Sequence, residues 1–296
     1  MIFLVFINFW RIKQQLIRRW LNIPRGIVHL RNVEFTRGQE YQLKMDILHP
    51  TKLPKQPMPV IVWIHGGAWR EGNKEQGLKR LVAFARQGFF CATIEYRLSH
   101  EAIFPAQIED CKCAIRFLRA HAQQFHLDPQ RVGVWGVSAG GHLAALVGTT
   151  QDIPELEGHG GWEEYSSSVQ AVCDWYGPTD FLKINDFPRK VDFTSEASPE
   201  AALIGGVIEA NPEKAAKANP ITYINPTNPP FFIIHGENDL LVPLNQSQLL
   251  FDALTKVGVE ASLEIVKGAG HGDQKFDSPI LLKKVENFFK NHLFTW

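Results

Sequence analysis

From Ile27 onward the chain alternates short runs that are apolar throughout with longer stretches whose apolar residues recur at helical spacing. Val60-Ile61-Val62-Trp63-Ile64 is continuously apolar, the mark of a strand covered on both faces. Phe89–Glu95, Arg131–Trp135, Val169–Tyr176, Phe231–His235 and Ser262–Val266 read as further strands. Ile27–Phe35 and Tyr41–Leu48 predict an antiparallel pair with its turn at Arg37-Gly38. Helices are expected over Lys79–Gln87, Phe104–Phe125, Phe251–Val257 and Pro279–His292. In the second of these Ile108, Cys111, Ile115 and Leu118 fall on one face. Strands alternating with helices predict an α/β fold, a mostly parallel central sheet flanked by helices. Gln151–Ser168, rich in Gly, Glu and Ser, and Phe181–Asn225, punctuated by prolines, break the rhythm. Both follow strands, where ligands bind in open α/β sheets, so both are expected to form the walls or lid of a pocket.

The N-terminus has a different pattern. Met1–Trp10 is almost wholly apolar, and Arg11–Trp20 is basic and amphipathic. Phe9, Ile12, Leu16 and Trp20 share one helical face, and Arg11, Arg18 and Arg19 lie away from it. The apolar run is shorter than the ~20 residues that span a bilayer. It also lacks the basic start and small-residue cleavage site of a secretory signal. The chain thus divides into an N-terminal segment, residues 1–25, and one α/β domain, residues 26–296. The stripe of the segment must be buried against the body of the protein, a partner chain or a membrane surface.

Composition narrows the function. With 296 residues, 45% of them hydrophobic, the chain can build one large core. A formal net charge of +0 supplies no field that would gather nucleic acid. Cys91, Cys111, Cys113 and Cys173 suggest neither a disulfide framework nor a zinc site. A cytoplasmic setting is expected, a membrane surface being one of the places where the N-terminal stripe can be buried.

Gly136-Val137-Ser138-Ala139-Gly140 lies between an apolar strand and a helix of small residues. A serine hydroxyl becomes a useful nucleophile when a sharp turn exposes it beside a base, and flanking glycines permit that turn. The helix starting at Ser138 turns its first N–H groups toward the reacting centre. Among eleven histidines, His271 has the setting of a base, in the glycine-rich loop Gly268-Ala269-Gly270-His271-Gly272 after the last strand. His142, one turn along the helix from Ser138, reads as a packing or hydrogen-bonding residue. For the acid that holds the base, Asp239 follows the strand Phe231–His235. Glu237 and Asp180 compete with it, because turn carboxylates commonly only cap turns. An oxyanion hole needs N–H donors. Ala139 supplies one, and the loop His65-Gly66-Gly67-Ala68-Trp69 after an early strand supplies Gly66 and Gly67.

Four motifs together resemble the hormone-sensitive-lipase-like esterases of the α/β-hydrolase superfamily. They are His65-Gly66-Gly67-Ala68-Trp69, Glu95-Tyr96-Arg97-Leu98, Gly136-Val137-Ser138-Ala139-Gly140-Gly141 and His235-Gly236-Glu237-Asn238-Asp239. Phe104-Pro105-Ala106-Gln107 and Asp174-Trp175-Tyr176-Gly177-Pro178-Thr179-Asp180 extend the similarity to the branch of bifunctional feruloyl and acetyl-xylan esterases. Ala68 stands where the lipase-like motif has a third glycine. The resemblance implies an α/β-hydrolase fold with nucleophile Ser138, acid Asp239, base His271 and oxyanion donors Gly66, Gly67 and Ala139. It implies a small-molecule ester substrate and no metal or cofactor. Glu95 and Arg97 are expected to support the oxyanion loop, and Trp69 to narrow the pocket. The expected activity is hydrolysis of short-chain or compact aromatic esters through an acyl-enzyme. Alternatives are an amidase, peptidase or arylformamidase on the same residues, or a hydrolase fold serving as a non-catalytic binding protein.

Overall fold

The computed structural model describes residues 23–151, 153–186 and 195–294. The amphipathic helix expected over Met1–Trp20 lies outside them. Eight strands form one sheet: β1 (Ile27–Glu34), β2 (Lys44–Pro50), β3 (Met58–Ile64), β4 (Phe90–Ile94), β5 (Leu127–Val137), β6 (Ala171–Trp175), β7 (Phe231–Gly236) and β8 (Ala261–Val266). Their spatial order is β1-β2-β4-β3-β5-β6-β7-β8. β2 is antiparallel to both β1 and β4, and every pairing from β4 through β8 is parallel. The helices are α1 (Leu78–Arg86), α2 (Ala106–Ala120), α3 (Ala122–Phe125), α4 (Ala139–Thr149), α5 (Pro199–Ile204), α6 (Pro212–Ala218), α7 (Asn245–Lys256) and α8 (Pro279–Leu293).

The apolar strands are continuous because each feeds two cores. In β3, Val60, Val62 and Ile64 pack on the side of α2 and α4, against Ile115 and Leu143. Ile61 and Trp63 point the other way, into a cluster with Trp135, Trp175 and Phe289. The two-residue period of a strand sorts the neighbours to opposite faces. Trp63 and Trp135 meet edge to face at 4.7 Å, and Trp135 meets Trp175 at 5.1 Å. This packing fixes the carboxyl ends of β3, β5, β6 and β7 relative to one another.

Three expectations are corrected. The helix predicted over Phe104–Phe125 is two helices. His121 leaves helical dihedrals, and its Nδ1 engages the Phe117 carbonyl at 2.8 Å, ending α2. The last-but-one helix starts at Asn245 and not at Phe251. Its first turns carry the buried polar residues Gln246 and Ser247, which hide the apolar period. The segment Gln151–Ser168 is not a wall of the pocket beside Ser138. It packs on α2, where Glu157 takes ion pairs from Lys112 (2.7 Å) and Arg116 (2.9 Å), and Trp162 Nε1 donates to the Phe35 carbonyl (2.9 Å).

Candidate active site

Ser138 stands directly after β5, Asp239 in the turn after β7 and His271 in the loop after β8. β5, β6, β7 and β8 are adjacent and parallel, so all three residues come to one edge of the sheet. Ser138 has φ 54° and ψ −122°, a conformation that few non-glycine residues adopt. The surroundings enforce it. Ser138 N donates to the Trp175 carbonyl at 2.8 Å, and His142 N donates to the Ser138 carbonyl at 3.0 Å. A Cβ on Gly136 would collide with the carbonyl of Gly140, so the turn closes only with glycine there.

The Ser138 hydroxyl lies 2.9 Å from His271 Nε2, and His271 Nδ1 lies 2.7 Å from Asp239 Oδ2. A carboxylate only accepts, so Nδ1 carries the proton and Nε2 is left to accept from the serine. The side chain of Asp239 is fully used. Oδ1 accepts from Leu241 N (2.9 Å) and Val242 N (3.0 Å), and Oδ2 also faces His235 Nε2 at 3.4 Å. Burial alone would raise its pKa, but the hydrogen bonds from His235 and His271 hold the carboxyl well below the usual carboxylate range.

The rival acids are committed elsewhere. Glu237 accepts from Gly268 N at 2.8 Å and so pins the loop that carries His271. Asp180 accepts from Leu182 N (3.0 Å) and Asn219 Nδ2 (2.8 Å). His142 is fully buried with Nε2 2.7 Å from the Ala218 carbonyl, a hydrogen-bonding role. Burial lowers its pKa to about 4, keeping it neutral.

The loop after β3 turns tightly, with Arg70 N and Glu71 N both donating to the Gly67 carbonyl at 3.0 Å. Gly67 has φ 119°, and a Cβ there would collide with the carbonyl of Glu71. Ala68 and Trp69 also have positive φ, at 53° and 55°. Such strain persists only where neighbours over-determine it. Tyr96 is the brace: its hydroxyl donates to the His65 carbonyl at 3.0 Å, and its ring stacks on His65 at 4.3 Å. The expected support from Glu95 and Arg97 is indirect. Glu95 binds Lys44 N and Lys74, and the guanidinium of Arg97 binds Asp110 on α2. Arg70 reaches from the same loop to the carbonyls of Ala197 (2.7 Å) and Ser198 (2.5 Å), tying the segment before α5 to it.

Gly66, Gly67, Ala139, Ser138 and His271 line one cavity of about 380 Å³. Pro199 and Glu200 also line it, so the described part of the second insertion does form a wall, as expected. The Trp69 ring is 1% exposed and closes the cavity where it meets His142 (5.1 Å) and Phe181 (5.7 Å).

Sequence reasoning missed two residues. Tyr176 stacks edge to face on the His271 ring at 4.7 Å and limits its swing. His235, four residues before Asp239, is buried beside it. Its Nε2 faces two acceptors, the Val242 carbonyl at 2.8 Å and Asp239, so Nδ1 accepts from the Ser247 hydroxyl at 2.7 Å. A histidine closing a buried strand just ahead of the acid was the available signal.

The sequence pattern of the BD-FAE family matches residues 45–254. Esterase LipC of Mycobacterium tuberculosis is 33% identical over 257 residues, 86% of this chain and 62% of LipC. Among solved structures, a bifunctional GH43-CE protein of Bacteroides eggerthii superposes with a TM-score of 0.82 and 36% identity, over 90% of this chain and 35% of that one. A truncated carbohydrate esterase from gut microbiota superposes at 0.81 with 31% identity, over 90% of this chain and 96% of that one. The chain thus spans less than two thirds of LipC and about a third of the bifunctional protein. With a match over most of its length and this sheet order, the chain belongs to the BD-FAE family and has the α/β-hydrolase fold.

Proposed function

We propose that the chain is a serine carboxylesterase, with Ser138 as nucleophile, His271 as general base and acid, and Asp239 as the group that orients His271. The observation that carries the reading is the hydrogen-bond chain Ser138–His271–Asp239, 2.9 and 2.7 Å, opening on a cavity that Gly66, Gly67 and Ala139 also line. Ser138 Oγ attacks the ester carbonyl carbon while His271 Nε2 takes its proton. The amides of Gly66, Gly67 and Ala139 hold the oxyanion. The alcohol leaves with the proton from His271, and water repeats the steps on the acyl-enzyme. The names of the relatives, esterase LipC and a carbohydrate esterase, support ester over amide substrates. A matched ester and anilide assayed side by side test that choice. Faster anilide turnover would overturn it.

Gly67→Ala tests the oxyanion assignment. The added methyl collides with the Glu71 carbonyl and must shift the turn, so kcat should fall by roughly 10²–10³, the loss seen when one donor is removed. KM should change little. A variant with wild-type kcat would remove Gly67 from the oxyanion hole.

The walls set the acyl group. Trp69, Pro178 and Val242 bound the cavity, whose volume is about 380 Å³. Acetyl and butyryl esters, or a compact aromatic acyl group such as feruloyl, should give the highest kcat/KM. Across a series of p-nitrophenyl esters the value should fall from butyryl through octanoyl to palmitoyl. A maximum at palmitoyl would refute the assignment.

A further inference from the structure

We propose that a second cavity, at the opposite end of α5 from the catalytic one, binds a single-chain aliphatic carboxylate. The cavity has a volume of about 630 Å³, within the ~300–1,000 Å³ typical of small-molecule sites. It shares no lining residue with the catalytic cavity. Pro199, the first residue of α5, lines the catalytic cavity, and Ile204, the last, lines this one.

The interior is apolar and conformable. Ile103, Phe104, Leu156 and Ile204 line it, and Ile103 leaves 49% of its surface in water. Branched aliphatic walls fit a flexible hydrocarbon chain, which gains by leaving water as they do.

The rim supplies the charge. Lys214 and Lys217 lie three residues apart on α6, and both line the cavity. The Lys214 ammonium touches only the Gly205 carbonyl, at 3.5 Å, and among the described residues neither lysine pairs with a carboxylate. The other polar groups on this rim are spent or of opposite sign. Tyr223 donates its hydroxyl to the Lys217 carbonyl (2.8 Å), and Thr222 donates to the Ala216 carbonyl (2.7 Å). Glu155 is the one acid lining the cavity, set against two ammonium groups. An anionic head at α6 with its chain toward Leu156 therefore matches the site, and a cationic head does not.

The test is calorimetric titration of the full chain with decanoate below its micelle concentration. It is paired with the double variant Lys214→Glu/Lys217→Glu and with decylamine as the cationic control. The expected result is saturable decanoate binding that a catalytic-site ester analogue does not displace. The double variant should weaken it by about tenfold or more at unchanged thermal unfolding, and decylamine should bind the parent at least about tenfold more weakly than decanoate. Ile103→Asp, at an exposed position, should weaken binding independently by placing a charge in the path of the chain. Full displacement by the ester analogue, equal affinity for decylamine, or decanoate binding unaffected by all the substitutions would each overturn the proposal. Calorimetry requires no turnover, so the outcome does not depend on the role of Ser138.

Discussion

Ser138→Ala is expected to lower kcat on an activated acetyl ester by roughly 10⁴–10⁶ while the protein unfolds at an unchanged temperature. The size follows from removing the atom that forms the covalent intermediate, which leaves only the oxyanion hole and binding. The stability expectation follows from what the side chain does in the fold. Its hydroxyl bonds His271, whereas the turn is held by backbone bonds, Ser138 N to the Trp175 carbonyl and His142 N to the Ser138 carbonyl. Alanine keeps both, and at φ 54° it is no more strained than serine. A folded Ser138→Ala protein retaining more than about a tenth of the parent kcat would contradict covalent catalysis at this residue.

Asp239→Asn should lower kcat by roughly 10³–10⁴, because an amide nitrogen can turn toward His271 Nδ1 and leave the wrong tautomer facing Ser138. Asp180→Asn and Glu237→Gln should stay within a few-fold of the parent, since both carboxylates bond elsewhere in the structure. A folded Asp180→Asn that is the most damaged of the three would mean that another acid orients the base. The same substitution has a signature in stability. The Asp239 pKa is lower in the folded chain than in the unfolded one, where it is ~3.9, so the folded state binds this proton later. Its contribution is complete above about pH 4 and is lost as the pH falls below that. Denaturation followed against pH should therefore show a shallower loss of stability below pH ~4 in Asp239→Asn than in the parent.

Much of this was legible in the residues because local pattern and global placement agree. Val60–Ile64 reads as a two-sided strand, and it is one. Gly136–Gly140 reads as a sharp turn, and the close approach of Gly136 to the Gly140 carbonyl is the reason. The choice of acid was not legible in the local pattern, since Asp180, Glu237 and Asp239 all follow strands. The resemblance of the motifs pointed to Asp239, and the bonds that each carboxylate makes agree with it. The start of α7 was hidden because Gln246 and Ser247 are buried for their polarity: Gln246 Oε1 accepts from Thr179 N and Asp180 N, and Ser247 bonds His235. The role of Gln151–Ser168 was misread for a different reason. The segment follows a helix, α4, and not a strand, so it does not leave the carboxyl edge of the sheet beside Ser138, and Glu157 holds it on Lys112 and Arg116. Among the described residues no helix is long and apolar enough to cross a membrane.

The most direct measurement is the intact mass of the protein after reaction with a fluorophosphonate, with the adduct mapped to a peptide while ester hydrolysis is followed in the same sample. A single adduct on Ser138 is expected, forming in step with loss of hydrolysis. It should be absent from Ser138→Ala and strongly slowed in Asp239→Asn, because the reagent needs the same activated hydroxyl as the ester. Hydrolysis that persists after Ser138 is fully modified, or that is lost through an adduct on a different residue, would contradict the account.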